Sequence, residues 1–176
     1  MAVRTEAETR VAADGGVGIT AAVVTDGLLA GLVGGLVIAA WFLAYDTLVM
    51  GRPFYTPTVL GAALFRSGVG LEAPATIAPS LDLVLPFTWI HLSVFCIIGA
   101  TASYLLTIAE RNANYGFGVL LLFVVFEFGF VLLCQVVAES VLDALAWPAV
   151  LIGNLLAASA MAAVLWRRHR QLSILP

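Results

Sequence analysis

The stretch GLLAGLVGGLVIAAWFLAYDTLVM, Gly27 to Met50, decides the fold. It contains a single Asp, Glu, Lys or Arg, Asp46, and no proline. Crossing the hydrocarbon core of a bilayer takes about 20 mostly apolar residues in a helix. A run of this length and composition is too long for a strand and too apolar for the surface of a water-soluble domain. In lipid every backbone polar group must be satisfied within the segment, so the stretch reads as a transmembrane helix.

Three further stretches meet the same test: about Val84 to Ile108, Gly116 to Ala138 and Leu145 to Trp166. Arg111 and Asn112 punctuate the second and third. Glu139 and Asp143 punctuate the third and fourth. Both breaks are short, so these neighbours are expected to lie antiparallel. The expectation is an all-α fold: an integral membrane four-helix bundle over residues 26–166, spans about 27–50, 84–108, 116–138 and 145–166. An N-terminal tail, 1–25, precedes it and a short tail, 167–176, follows; within the first, Arg4 to Asp14 is polar, and the apolar Ile19 to Val24 either extends the first helix or lies along the membrane.

Composition agrees. Of 176 residues, 62% are hydrophobic and 11% charged, and mean hydropathy is +1.06. Soluble domains carry about 45–50% apolar and about 25% charged residues. A soluble enzyme is therefore excluded. Net charge is −3 and no basic run is long enough to hold nucleic acid. Cys96 and Cys134 both sit in apolar runs, which is neither a disulfide framework nor a zinc pattern. The N-terminal MAVRTEAETR has no apolar core and is not a secretory signal.

Every basic residue apart from the histidines is arginine, and arginine sets the orientation. With four spans, Arg4, Arg10, Arg111, Arg167, Arg168 and Arg170 share one side, and only Arg52 and Arg66 take the other. The positive-inside rule then puts both termini in the cytoplasm. Trp147 and Trp166 bracket the fourth span, about 28 Å apart along a helix, as interface anchors. The long outer connection, Gly51 to Asp82, is broken by Pro53, Pro57, Pro74 and Pro79. Inside it, Thr56-Pro57 reads as an N-cap followed by the first helical residue. Thr58 to Phe65 reads as a short non-spanning helix at the outer interface or tucked over the bundle. Asp26 is placed to cap the first span.

The motif Tyr45-Asp46-Thr47-Leu48-Val49-Met50-Gly51-Arg52-Pro53-Phe54-Tyr55-Thr56-Pro57, followed by Leu60-Gly61 and Leu64-Phe65, resembles a group of small uncharacterised bacterial membrane proteins. These look like four-span proteins with a Y-D-x5-R-P-F-x-T-P turn after the first helix and a histidine early in the second, as at His91. The resemblance covers roughly the first 100 residues. It implies a four-helix bundle in a bacterial inner membrane and carries no activity with it. Read physically, Pro53 and Pro57 stiffen the exit from the membrane, and Arg52 is positioned to pair with Asp46.

Small residues mark the packing surfaces. Gly27, Gly31, Gly35 and Ala39 recur every fourth residue and share one helix face. Without a hydrophobic drive in lipid, such faces let backbones approach closely and associate by van der Waals contact. The face meets either a neighbouring helix of the bundle or a partner protein, and a bundle needs such seams in any case. Gly99 with Ser103, and Asn154 with Ala158 and Ala162, repeat the device.

Polar residues at membrane depth crowd the outer half: Asp46, His91, Glu127, Gln135, Glu139 and Asn154. An ionisable residue there is a functional candidate by default. Glu127, flanked on both sides by apolar residues, is expected to face the bundle interior. Two roles are open to it, hydrogen-bonded glue and proton or ion handling. No nucleophile–base pair or phosphate loop appears, so no catalytic residue is assigned and the protein is not expected to be an enzyme. A bis-histidine haem needs two axial histidines, whereas only His91 lies in a span and His169 is in the tail. One axial histidine leaves room for a five-coordinate pigment or haem; His91 with Glu127 or Glu139, and Asp46 as a third ligand, is a second arrangement, and no metal is assigned. The cofactor is unknown. Two functions follow as expectations. One is a structural or accessory subunit of a larger membrane complex, respiratory or photosynthetic, with lipid and other subunits as partners. The other is a small proton, ion or metal-handling protein using the polar cluster.

Overall fold

The computed structural model describes residues 2–66, 73, 76–111, 121, 124–125, 128–129, 132 and 147–168. Among them the fold is all-helical. α1 spans Ala2–Leu48, α2 Tyr55–Phe65, α3 Leu81–Arg111 and α4 Trp147–Arg168. Three segments are long and apolar enough to cross a membrane: Ala21–Leu48, Leu81–Ile108 and Pro148–Arg168. α2 is apolar and too short to do so. The third expected span falls largely outside the described residues. Its described positions, Leu121, Val124, Val125, Phe128, Gly129 and Leu132, are helical, and all but Gly129 are large exposed apolar residues. Their spacing places them on one stripe.

α1 stands at the centre. Gly27 faces Gly99 and Ala100, Gly31 faces Phe95 and Cys96, and Gly35 faces Leu92 and Phe95. Residue numbers rise along α1 as they fall along α3, so the two helices are antiparallel. On its other side Ala30 clusters with Met161 and Leu165, Gly34 meets Met161, and Trp41 meets Gly153. α4 is thus antiparallel to α1 as well, and α3 and α4 run parallel to each other. Phe95, Ile98, Ala102 and Leu106 of α3 close over the Ala30–Met161–Leu165 cluster. The Trp41 indole N–H donates to Ala149 O at 2.8 Å, fixing the start of α4 to α1.

Two expectations for the N-terminal region are corrected. Residues 2–25, expected as a tail, continue α1 without a break from Ala2. Glu6, Ala7, Glu8, Arg10, Ala12 and Ala13 are strong helix formers, which explains why the helix extends beyond the apolar run. Asp26 therefore lies inside a helix rather than at its cap. Its carboxylate pairs with Arg168 at 3.2 Å and ties the start of the apolar part of α1 to the last turn of α4.

α2 also differs from expectation. It starts at Tyr55, two residues before Pro57, and its N-cap is Phe54 rather than Thr56, in the left-handed region, φ 63°. Pro57 falls at the third helical position, where its missing N–H is one the helix leaves unpaired in any case. Tyr55, Val59 and Ala62 bury against Leu83, with Ile77 and Val150 alongside. A Cβ on Gly61 would lie 2.7 Å from Leu83 O. α2 thus lies across the N-terminal ends of α3 and α4.

Candidate functional site

The polar residues sort into three kinds by what they touch. Asp46 is fully buried. The Thr56 backbone N–H donates to its Oδ2 at 2.7 Å and the Thr56 hydroxyl donates to its Oδ1 at 2.6 Å. The first turn of a helix leaves its N–H groups unsatisfied. Here a carboxylate from the end of α1 satisfies one of them in α2 and also meets the positive end of the α2 dipole. That outside cap explains why α2 begins early and why Phe54, which makes no side-chain cap bond, can stand at its start. The Asp46 carbonyl accepts the Arg52 N–H at 2.8 Å, closing the turn between α1 and α2. The Arg52 side chain, expected at Asp46, reaches the Ile77 carbonyl at 2.7 Å and lies over the Tyr55 ring at 4.7 Å. Thr58, also fully buried, donates to Phe54 O at 2.7 Å and accepts the Ser80 N–H at 3.4 Å. Side-chain and backbone polar groups of α1, α2 and the α3 approach therefore form one connected network.

His91 is of a second kind. It lies on α3 between Phe87 and Phe95, one helical turn away on either side. The ring centroids are 5.5 Å apart and nearly parallel to Phe87, and 4.9 Å apart and tilted to Phe95. Among the described residues the imidazole makes ring contacts and no hydrogen bond. Asn154, half-buried on α4, follows Gly153, whose neighbours are Ile38 and Trp41. His91 precedes Leu92, which faces Gly35. The two residues thus sit within roughly one or two helical turns of depth of each other. Glu127, Gln135 and Glu139 form the third kind: they lie outside the described residues. Among the described residues no group of three metal-ligating side chains gathers.

The small-residue positions have their own geometry. A Cβ built on Gly99 would lie 2.6 Å from Gly31 N and 2.8 Å from Gly31 Cα, and one on Gly31 would lie 2.6 Å from Cys96 Cα. These are backbone collisions that no side-chain rotation relieves. The Cys96 thiol points across the same seam toward Leu28 O at 3.8 Å. Ser103 is fully buried and its carbonyl accepts the Thr107 hydroxyl at 3.0 Å. Ala39 is half-buried.

Sequence reasoning missed two features. One is the second face of α1, Ala30 with Gly34, which meets α4. Its signal was present as a small-x3-small repeat offset by one residue from the first. The other is Thr56 as the partner of Asp46. No local spacing announces it, because ten residues and a reversal of chain direction separate them. No family model, curated protein or solved structure matches the chain.

Proposed function

We propose that the chain is a four-span protein of a bacterial inner membrane, both termini cytoplasmic, acting as a non-catalytic accessory subunit against a larger respiratory or photosynthetic complex. The fourth crossing is argued from topology. α3 ends at the end of the bundle where α1 begins its span, and α4 starts at the other. Residues 112–146 therefore join opposite ends. About 35 residues suffice, since a helix of that length reaches ~50 Å. The stripe from Leu121 to Leu132 supplies a lipid-facing side for that crossing. Orientation rests on the arginine bias, to which the Arg168–Asp26 end of the bundle belongs.

The observation that carries the accessory role is the engagement of Asp46. The ionisable side chain at the outer end of the first span holds the protein's own cap in place rather than opening onto a path for ions. What the outer face of α3 offers is bulk: Leu85, Trp89, Ile97 and Tyr104 all stand exposed. Gentle-detergent purification from the native membrane tests the reading. Stoichiometric co-purification with the subunits of one membrane complex is the expected outcome.

The open nitrogens of His91 favour a second reading, a small proton, ion or metal-handling protein built on Asp46, His91, Glu127, Gln135, Glu139 and Asn154. A chain that purifies alone with stoichiometric metal supports this second reading and overturns the first.

A further inference from the structure

α3 has three sides. Leu92, Cys96 and Gly99 meet α1. Trp89, Ile97 and Tyr104 stand exposed. Between these sides Phe87, His91 and Leu105 form a half-buried band. At about 100° per residue, His91 is turned about 100° from Leu92 and about 40° from Phe95, which closes over the Ala30–Met161–Leu165 cluster. The band therefore lies toward α4, farther from α1 than Phe95. On α4 the matching band is Asn154 with Ala158, also half-buried. Each points within about 20° of Leu165, a member of the cluster that α3 closes over. Each is turned about 100–140° from Gly153, which meets Ile38 and Trp41 of α1. The two bands line a cleft between α3 and α4, on the side away from α1.

The chain that joins Arg111 to Trp147 has several surfaces to choose from. The open sides of the three long helices are bare: Leu36 of α1 is 52% exposed, Trp89 of α3 75% and Leu155 of α4 58%. A helix packed on any of them would cover those side chains. The cleft is half-covered, and it adjoins both of the helices that the chain connects. A crossing of about 20 residues leaves roughly 15 for two connections, and connections that short join neighbouring helices. Residues 112–146 also declare an outward side. Leu121, Val124, Val125, Phe128 and Leu132 fall within an arc of about 100°, and all are exposed. On the same helical register Phe130 and Cys134 lie about 160° around from Leu132, and Glu127 lies about 160° from Val125.

We propose that residues 112–146 cross the membrane as a helix seated in the cleft between α3 and α4, opposite α1, with the side carrying Glu127, Phe130 and Cys134 turned into it. The proposal rests on the four-span reading and adds the seat to it. In that seat Glu127 stands among helices rather than in lipid, and the Trp89 side of α3 stays free for another subunit.

Cross-linking of the full chain in native membranes tests the seat. Cys96→Ala removes the second thiol and leaves Cys134 as the anchor. A new cysteine is placed in the cleft, by His91→Cys or Ala158→Cys, or outside it, by Trp89→Cys or Leu36→Cys. A bifunctional maleimide joins each pair, and peptide mass spectrometry of the monomer band reads the yield. Yields severalfold higher from His91→Cys and Ala158→Cys than from the two outside positions are expected. Ala158→Cys changes volume least and carries the test if His91→Cys fails to fold. A yield from Trp89→Cys or Leu36→Cys that equals or exceeds the cleft positions overturns the seat. Asn114→Cys and Asp143→Cys, each alone in a chain with Cys96→Ala and Cys134→Ala, separate the two readings by labelling with an impermeant maleimide. Labelling from opposite faces without a cleft cross-link overturns the seat alone. Labelling of both from one face overturns the fourth crossing and the seat with it.

Discussion

The α2 end of this bundle and its α1–α3 seam are held together by opposite means. At the α2 end, α2 is fastened by side-chain polar atoms: the Asp46 carboxylate, the Thr56 and Thr58 hydroxyls and the Arg52 guanidinium. Through the middle, α1 meets α3 where side chains are absent, at Gly27, Gly31 and Gly99. The difference follows the solvent. Near water the hydrophobic effect still drives burial of Tyr55, Val59 and Ala62, and buried polar atoms then fix which arrangement is adopted. In hydrocarbon that drive is missing, and backbone proximity supplies the dispersion contacts instead. One region is specified by what is added, the other by what is left out.

The sharpest way to break the comparison is to fill the seam. Gly99→Leu drives a side chain into Gly31 N and Cα, and the backbone cannot yield without separating α1 from α3. A loss of about 3 kcal/mol or more is expected, at the upper end of overpacking costs. Unfolding in mixed micelles, followed by circular dichroism, measures it. A Gly99→Leu protein as stable as wild type would show that the seam is not a fixed contact.

Removing the polar fastening costs less and acts locally. Asp46→Ala leaves the Thr56 N–H buried without its acceptor, a loss of about 1.5–3 kcal/mol for a charge-assisted bond. The expected signature is faster hydrogen exchange across Tyr55–Phe65 with α3 protection unchanged. Asp46→Asn keeps an acceptor for the N–H and recovers most of that protection. Uniform loosening of all helices would mean that the cap and the seam are a single cooperative unit.

The smallest effect is expected at the inner end. Arg168→Ala removes the ion pair with Asp26, but the arginine is half exposed and the pair is screened. A change below about 0.5 kcal/mol is expected, shrinking further in high salt. A larger loss would place this end of the bundle in a drier setting than the exposure of Arg168 implies.

Much of this was legible in one dimension. A run such as Gly27–Met50 needs a particular solvent whatever its neighbours, so three of the membrane-length helices can be read from composition alone. The small-residue repeat at Gly27, Gly31 and Gly35 announces a close approach, but not to which helix. Choosing α3, and giving Ala30 and Gly34 to α4, depends on the order of helices around α1. Asp46 reads as a membrane-depth carboxylate and therefore as a candidate for chemistry. Only the chain reversal at Gly51, φ +64°, brings Thr56 to it and makes it a cap. The start of α1 is hidden for the opposite reason: the polarity of Arg4 to Asp14 reads as the end of a helix, yet Glu, Ala and Arg favour helix in water as well.

The central position of α1 has a consequence for biosynthesis. It is made before both of its partners. Gly31 leaves the ribosome roughly 70 residues ahead of Gly99, which at ~5–20 residues per second is a wait of about 3–14 s. Ala30 waits roughly twice as long for Leu165. During that interval the newborn α1 stands in lipid with both glycine-lined grooves empty, before either of the helices that fill them exists. A ribosome stalled after α2 exposes these grooves to whatever the insertion machinery or a second nascent chain presents. For these two grooves the interval open to mispairing runs until α3 and then α4 have emerged.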